Sequence, residues 1–182
     1  MKIINETILE VNLSKLANNF NYLKSKLNAN TKIIAVVKAH AYGHGDIAIA
    51  SKLEKLGANA LWVADFEEGT RLRKSGINIP IIIANPGTKS TAQIIENKLD
   101  VVIYNFELLQ IYGELNKEIC IHIKFNTGMN RYGFNPEEVE ELVCTLQKYP
   151  KLEIQSICSH LSASDNKQKD TFTKTQFQVF DN

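Results

Sequence analysis

Two periods alternate along the chain. Short runs rich in β-branched residues recur at 33–37, 60–64, 81–84, 101–104, 119–125 and 154–158. Between them apolar residues return every three to four positions. The first such stretch is 13–27, where Leu13, Leu16, Phe20, Leu23 and Leu27 share one helical face. The others are 47–56, 67–74, 90–97, 107–115 and 136–148. Strand then helix, six times over, predicts a parallel sheet covered by helices. Gly57, Gly76, Pro80, Pro86-Gly87, Gly128, Gly133, Pro136 and Pro150 fall at the joints. Asn135-Pro136-Glu137-Glu138 has a cap, a first-turn proline and first-turn acids, the marks of a helix start. Residues 8–13 (Ile-Leu-Glu-Val-Asn-Leu) alternate ahead of the first helix and predict an extra strand belonging to another sheet. No linker or low-complexity stretch divides the chain, so 1–182 is expected to be one domain.

Six strand–helix units suit an open doubly wound sheet or a (β/α)8 TIM-type barrel that stops two units short of the ~250 residues such a barrel takes. Residues 172–182 read as a helix with Phe172, Gln176, Phe177, Val179 and Phe180 on one face, running to the chain end without a glycine or proline stop. This favours the barrel, with the chain expected to be the amino-terminal part of a longer product.

Composition narrows the function classes. Of 182 residues, 21 are basic and 20 acidic, a net charge of +1, which leaves no surplus for nucleic-acid phosphates or a membrane surface. No run approaches the ~18 apolar residues of a membrane span. Met1–Thr7 turns polar too early for a secretory signal, so a soluble, cytoplasmic protein is expected. Cys120, Cys144 and Cys158 are an odd number without ligand-like spacing, expected to be reduced and mostly buried. There is no CxxC, HExxH or EF-hand loop, and hence no argument for a metal.

Chemistry concentrates where strands end. Lys38 closes the run Ile33-Ile34-Ala35-Val36-Val37-Lys38 and, by alternation, shares a face with Val36 and Ile34 at the carboxyl end of a strand. A lysine amine there is placed to act as a nucleophile toward a carbonyl. The following Ala39-His40-Ala41-Tyr42-Gly43-His44-Gly45-Asp46 has two glycines just before a helix, which lets backbone approach a ligand near a helix amino end. In Ile119–Phe125, alternation puts Cys120, His122, Lys124 and Asn126 on one face, and the apolar residues on the helix-covered face. His160 is expected on one face with Ile154, Ser156 and Cys158. His44 reads as a solvated loop residue, His122 as a lumen residue without a role, and Trp62 as core. Glu67, Glu68, Arg71, Arg73, Lys74 and 137–141 read as solvated helix faces.

Ala35–Gly45 resembles the pyridoxal-phosphate attachment motif of the alanine racemase family, with His40 where that family usually has asparagine. Lys124-Phe125-Asn126-Thr127-Gly128-Met129-Asn130-Arg131-Tyr132-Gly133 is similar to the family's Lys-x-Asp-Thr-Gly-Met-x-Arg-x-Gly, with Asn126 in place of aspartate. Ser159-His160-Leu161-Ser162-Ala163-Ser164-Asp165 resembles its Thr-His-Phe-Ala-x-Ala-Asp segment. The resemblance implies the amino-terminal barrel of an enzyme that interconverts L- and D-alanine through a pyridoxal-phosphate aldimine, supplying D-alanine for peptidoglycan. It implies that Lys38 carries the cofactor and serves as one acid/base group, while Tyr42 binds the phosphate. Arg131 would contact the cofactor's phenolic oxygen and the substrate side, with Met129 supplying backbone to the substrate carboxylate. Lys124 matches a lysine carbamylated in many members, which orients the arginine; His160 matches a histidine of the active-site network. A homodimer is implied, with the second base a tyrosine from the partner's carboxyl-terminal β-domain, which nothing in this sequence matches. A non-catalytic cofactor-binding module, a related decarboxylase and a racemase for another small amino acid are the rival readings.

Overall fold

The structure, a computed structural model, describes residues 7–182. Six parallel strands form one sheet in sequence order: β1 Ile34–Val36, β2 Ala60–Val63, β3 Ile81–Ile83, β4 Asp100–Ile103, β5 Ile119–Lys124 and β6 Leu152–Cys158. Before, between and after them lie α1 Leu13–Lys24, α2 Asp46–Lys55, α3 Phe66–Lys74, α4 Thr91–Glu96, α5 Phe106–Glu114, α6 Val139–Leu146 and α7 Asp170–Asp181. This is the expected strand–helix series of a barrel, with β1 and β6 as the two edges of the sheet. No described helix is long and apolar enough to cross a membrane.

Side-chain alternation sorts the sheet into two faces. Leu61, Val63, Ile81, Ile83, Val101, Ile103, Ile121 and Ile123 are buried in the main core, where they meet Leu72, Ile94, Leu108, Leu109 and Leu142 of the helices. The opposite face holds a smaller cluster of Ala60, Ile82 and Val102, joined by Trp62 and Tyr104. Branched side chains buried on both sides of a strand are what a helix-covered parallel sheet requires.

Local signals set the helix starts. Asn12 accepts from the amides of Ser14 and Lys15 at 3.0 Å each, Asp65 from Glu68, and Asn105 from Leu108. At Asn135 the backbone amide donates to Glu138 Oε2 at 2.6 Å, and the first turn there, Pro136–Glu138, is a 3-10 turn leading into α6. The strand expected over 8–13 does not form: 8–12 is irregular, and Asn12 instead caps α1. Ile8 and Leu9 are 67% and 71% exposed, so among the described residues no sheet partner covers that alternation. Cys144 is exposed and Cys120 and Cys158 only half-buried, against the expectation of buried thiols.

Candidate active site

The carboxyl ends of the strands open into a cleft of about 450 Å3. Lys38, Tyr42, Lys124, Arg131 and His160 all line it, brought together from the ends of β1, β5 and β6. Ile34 and Val36 line it too, as alternation from Lys38 requires. Trp62 belongs to the same wall, half-buried on the inner face, and is not a residue of the main core. No carboxylate among the described residues lines the cleft. Met129 is half-buried in its loop and is not part of the lining.

Beyond Lys38 the backbone makes a left-handed turn. Ala39, His40, Ala41 and Tyr42 have φ of 51°, 55°, 52° and 56°, and Gly43 follows at 85°. Left-handed backbone costs a non-glycine residue roughly 1–2 kcal/mol, so four in succession need compensation. Part of it is local: the amides of Ala41, Gly43 and Gly45 donate to the carbonyls of Val37, Ala39 and His40 at 2.8–2.9 Å. The rest comes from Glu68 and Arg71, read above as solvated, and from Asp46. Glu68 accepts the Ala39 amide on one carboxylate oxygen at 2.7 Å and the Ala64 amide on the other at 2.8 Å. Asp46, buried at 4% exposure, takes the Arg71 guanidinium on Oδ2 and sits 3.3 Å from His40 Nδ1 through Oδ1. Arg71 holds the Asp46 carboxyl below the usual carboxylate range against the opposing effect of burial, the largest single influence. His44, also read as solvated, places Nδ1 2.9 Å from the Ala41 carbonyl.

The loop that carries Arg131 is closed at its base. Asn126 donates its amide to the Phe134 carbonyl at 2.8 Å, and Phe134 returns a bond to the Lys124 carbonyl at 2.9 Å. Inside the loop the Asn126 side chain accepts from the amides of Gly128 and Asn130 and donates to the side-chain oxygens of Asn130 and Asn135. Gly133 has φ +133°, and a Cβ there would stand 2.5 Å from backbone atoms of Phe125 and Asn126. Tyr132 stacks on Tyr104 with ring centroids 4.5 Å apart, and the Tyr104 hydroxyl donates to Asn85 Oδ1 at 2.7 Å.

On β6 the expected face is corrected by a bulge. Ile121 pairs with Ile154 but His122 pairs with Ser156, so the extra residue Gln155 flips the alternation. Ser156 and Cys158 therefore face inward with His122 and Lys124, while Ile154 lies on the outer face with Ile121. His122 itself is buried, with Nδ1 2.7 Å from Ser156 Oγ and Nε2 3.4 Å from Asp100 Oδ2. Unpaired it would be costly in the lumen; paired, it ties β4, β5 and β6 together.

Charge in the cleft is one-sided. Burial, with Arg131 and Lys38 nearby, holds the Lys124 amine below the ordinary lysine value, although Cys158 acts in the opposite sense. Burial and then the cations of Arg131, Lys124 and Lys38 lower His160 as well. Burial pushes the Cys158 thiol up to about 11. Such a pocket favours an anionic ligand.

Comparison with known proteins gives the family. Residues 11–182 match the family described as alanine racemase, N-terminal domain. The chain belongs to this family. It is 34% identical over 177 residues to an alanine racemase of Methanococcus maripaludis, covering 94% of this chain and 47% of that protein. An alanine racemase of Clostridium tetani is 36% identical, with 94% and 45% covered. Among solved structures, alanine racemase of Clostridium difficile 630 superposes with a TM-score of 0.92 at 33% identity, over 99% of this chain and 49% of that one. The same racemase in complex with cycloserine gives 0.87 at 32% identity, over 93% and 48%. The chain thus spans about half the length of the curated alanine racemases it matches.

Within this alanine racemase domain, sequence reading missed the residues that hold the site in place. Glu68, Asp46 and Arg71 act across elements, and nothing local marks them. Arg73, also read as solvated, donates to the carbonyls of Ile77, Ile79, Asn97 and Lys98 and locks two loops on the far side.

Proposed function

We propose that the chain is the cofactor-binding half of an alanine racemase that uses pyridoxal 5'-phosphate to interconvert L- and D-alanine. The complete enzyme is proposed to be a cytoplasmic homodimer providing D-alanine for peptidoglycan. The single observation that supports this most is the carboxylate-free cleft with Lys38, Lys124 and Arg131 on its walls. Its donor set fits an anionic aldehyde: one strand-end amine for the carbonyl carbon, and fixed cations for the phosphate and ring oxygen. When bound, pyridoxal phosphate supplies that aldehyde and a ring able to take up electron density from the substrate α-carbon.

In this reading Lys38 Nζ would hold the cofactor covalently until a substrate amine displaces it, and the freed amine would then be placed to move the α-proton on its own face. Tyr42 donates its hydroxyl to the phosphate. Arg131 gives the phenolic oxygen a planar, permanently charged donor pair and faces the substrate. Met129 is assigned to the substrate carboxylate through its backbone. Lys124, whose lowered basicity leaves more neutral amine, is suited to carbamylation, which would place an anion beside Arg131 and orient it. His160, whose basicity burial and then its cationic neighbours lower, is assigned to the hydrogen-bonding network of the same site. The base for the opposite face is assigned to the half of the racemases that this chain does not span.

Borohydride reduction after incubation with pyridoxal phosphate should leave a pyridoxyl group on Lys38 in a peptide map. Lys38→Ala should lose the visible absorbance of the complex, whereas Lys55→Ala should keep it. A label on another lysine would refute the assignment. Given L-alanine and deuterated water, the loaded chain should exchange deuterium into L-alanine without forming D-alanine. D-alanine at a normal enzymatic rate would mean that these 182 residues hold both bases.

A further inference from the structure

Helix α7 is exposed along most of its length, its phenylalanines included, yet it delivers one glutamine to a site that excludes water. Gln176 is 0% exposed. Its Nε2 donates to the Thr127 hydroxyl at 3.3 Å and to the His160 carbonyl at 3.0 Å. Its Oε1 accepts the Ser162 amide at 3.1 Å and the Ser162 hydroxyl at 3.4 Å. Thr127 Oγ1 in turn lies 2.7 Å from Ser159 Oγ, and Ser159 donates to the Phe125 carbonyl at 3.0 Å.

All the hydrogen-bonding capacity of one carboxamide is therefore spent on two loops. One carries Arg131 after β5; the other carries His160 after β6. The helix also lies directly on the first loop. A Cβ at Gly128 would meet the Phe172 ring at 3.3 Å and Gln176 Cγ at 3.7 Å. An apolar residue of the same size at 176 would fill the space but strand the Ser162 amide and the His160 carbonyl. A glutamate would keep an acceptor for Ser162 and lose both donors.

We propose that Gln176 is a positioning residue that couples the loop carrying Arg131 to the loop carrying His160, so that the two side chains are set against the cleft as a unit. The proposal rests on the reading of that cleft as the cofactor site, but the coupling itself is a property of the unloaded chain.

The test is amide hydrogen exchange on the unloaded chain, followed residue by residue. In Gln176→Leu the Ser162 amide and the amides of Gly128–Arg131 should exchange about tenfold faster together, with β2 and β3 unchanged. Loosening of the His160 loop alone would overturn the coupling. Thr127→Val is the second variant, milder because it leaves Gln176 in place. It should transmit the same acceleration to the Ser162 amide, and an unchanged Ser162 would equally overturn the proposal, even if Gln176→Leu fails to fold. His160 titration, read by NMR, is a second readout of how that loop sits against the cations of the cleft. Once the two loops are uncoupled, His160 should move away from the cations of Arg131 and Lys124 and its midpoint should rise toward that of an ordinary histidine, whereas Gln178→Leu should leave it unmoved. An unmoved midpoint in Gln176→Leu counts against positioning. If pyridoxal phosphate fails to bind the unmodified chain, the functional reading falls while the exchange result stands.

Discussion

The Glu68 carboxylate accepts the backbone amide of Ala39 at 2.7 Å, so a helix one unit further along the chain holds the turn that begins at Lys38. Its second oxygen takes the Ala64 amide at the end of β2. One side chain thereby fixes the left-handed backbone after Lys38 relative to the neighbouring strand. Glu68→Gln turns an acceptor toward a donor clash at one of the two amides. Stability should fall by about 1–3 kcal/mol, read as a lower denaturant midpoint with an unchanged slope, and retention of pyridoxal phosphate should weaken in parallel. Retention equal to that of the unaltered chain would show that the Lys38 turn holds its shape without Glu68.

Trp62 is the only tryptophan in the sequence and lines the cleft. Addition of pyridoxal phosphate should therefore quench the intrinsic tryptophan fluorescence in a saturable way. Lys38→Ala should weaken that response. Quenching that rises linearly without saturation, and equally in both proteins, would place the cofactor elsewhere.

His160 gives stability a pH dependence with a definite sign. Its folded-state value is depressed by burial and by Arg131, Lys124 and Lys38, so the unfolded chain takes up the proton first. The contribution is present in full above the ordinary histidine value of about 6.5. It is lost as pH falls through that value and on through the lower folded one. His160→Gln should flatten the stability profile in that window relative to the unaltered chain. Identical slopes for the two proteins would remove His160 from the account.

Gly133 should tolerate no side chain. At φ +133° a Cβ would stand 2.5 Å from backbone of the closing bridge, where nothing flexible can give way. Gly133→Ala should cost more than about 1 kcal/mol and release the loop that holds Arg131. Cofactor affinity should then fall, as it should in Arg131→Lys, which keeps the charge but loses the paired donors. Full affinity in Gly133→Ala would mean that the loop's shape is not what presents Arg131.

The bulge at Gln155 marks a limit of pattern reading. Strict alternation puts Ile154 with Ser156 and Cys158, but one extra residue in β6 reverses the faces midway. Nothing in the local composition announces it, because both Ile154 and Ile157 are apolar and lie on an edge strand where they are 50% and 58% exposed. Across 8–13 the expected strand does not form either, since a strand needs a neighbour and the described residues offer it none, while Asn12 caps α1.

By itself the sequence determined the strand–helix order, the placement of Lys38 at a strand end and the polar inner face of β5. Those follow from the periods of 2 and 3.6 and from breakers at the joints, which are local properties of the chain. The motifs around Lys38, Arg131 and His160 were legible too, because each is contiguous. Tertiary structure alone decided the left-handed turn after Lys38 and the roles of Glu68, Asp46, Arg71 and Gln176. Glu68 lies 29 positions from Ala39, and Gln176 lies 49 from Thr127. A charged or polar residue on a helix reads as solvated unless something distant covers it. Only the folded chain brings a backbone amide or a buried hydroxyl to meet it, and burial then makes that hydrogen bond costly to lose.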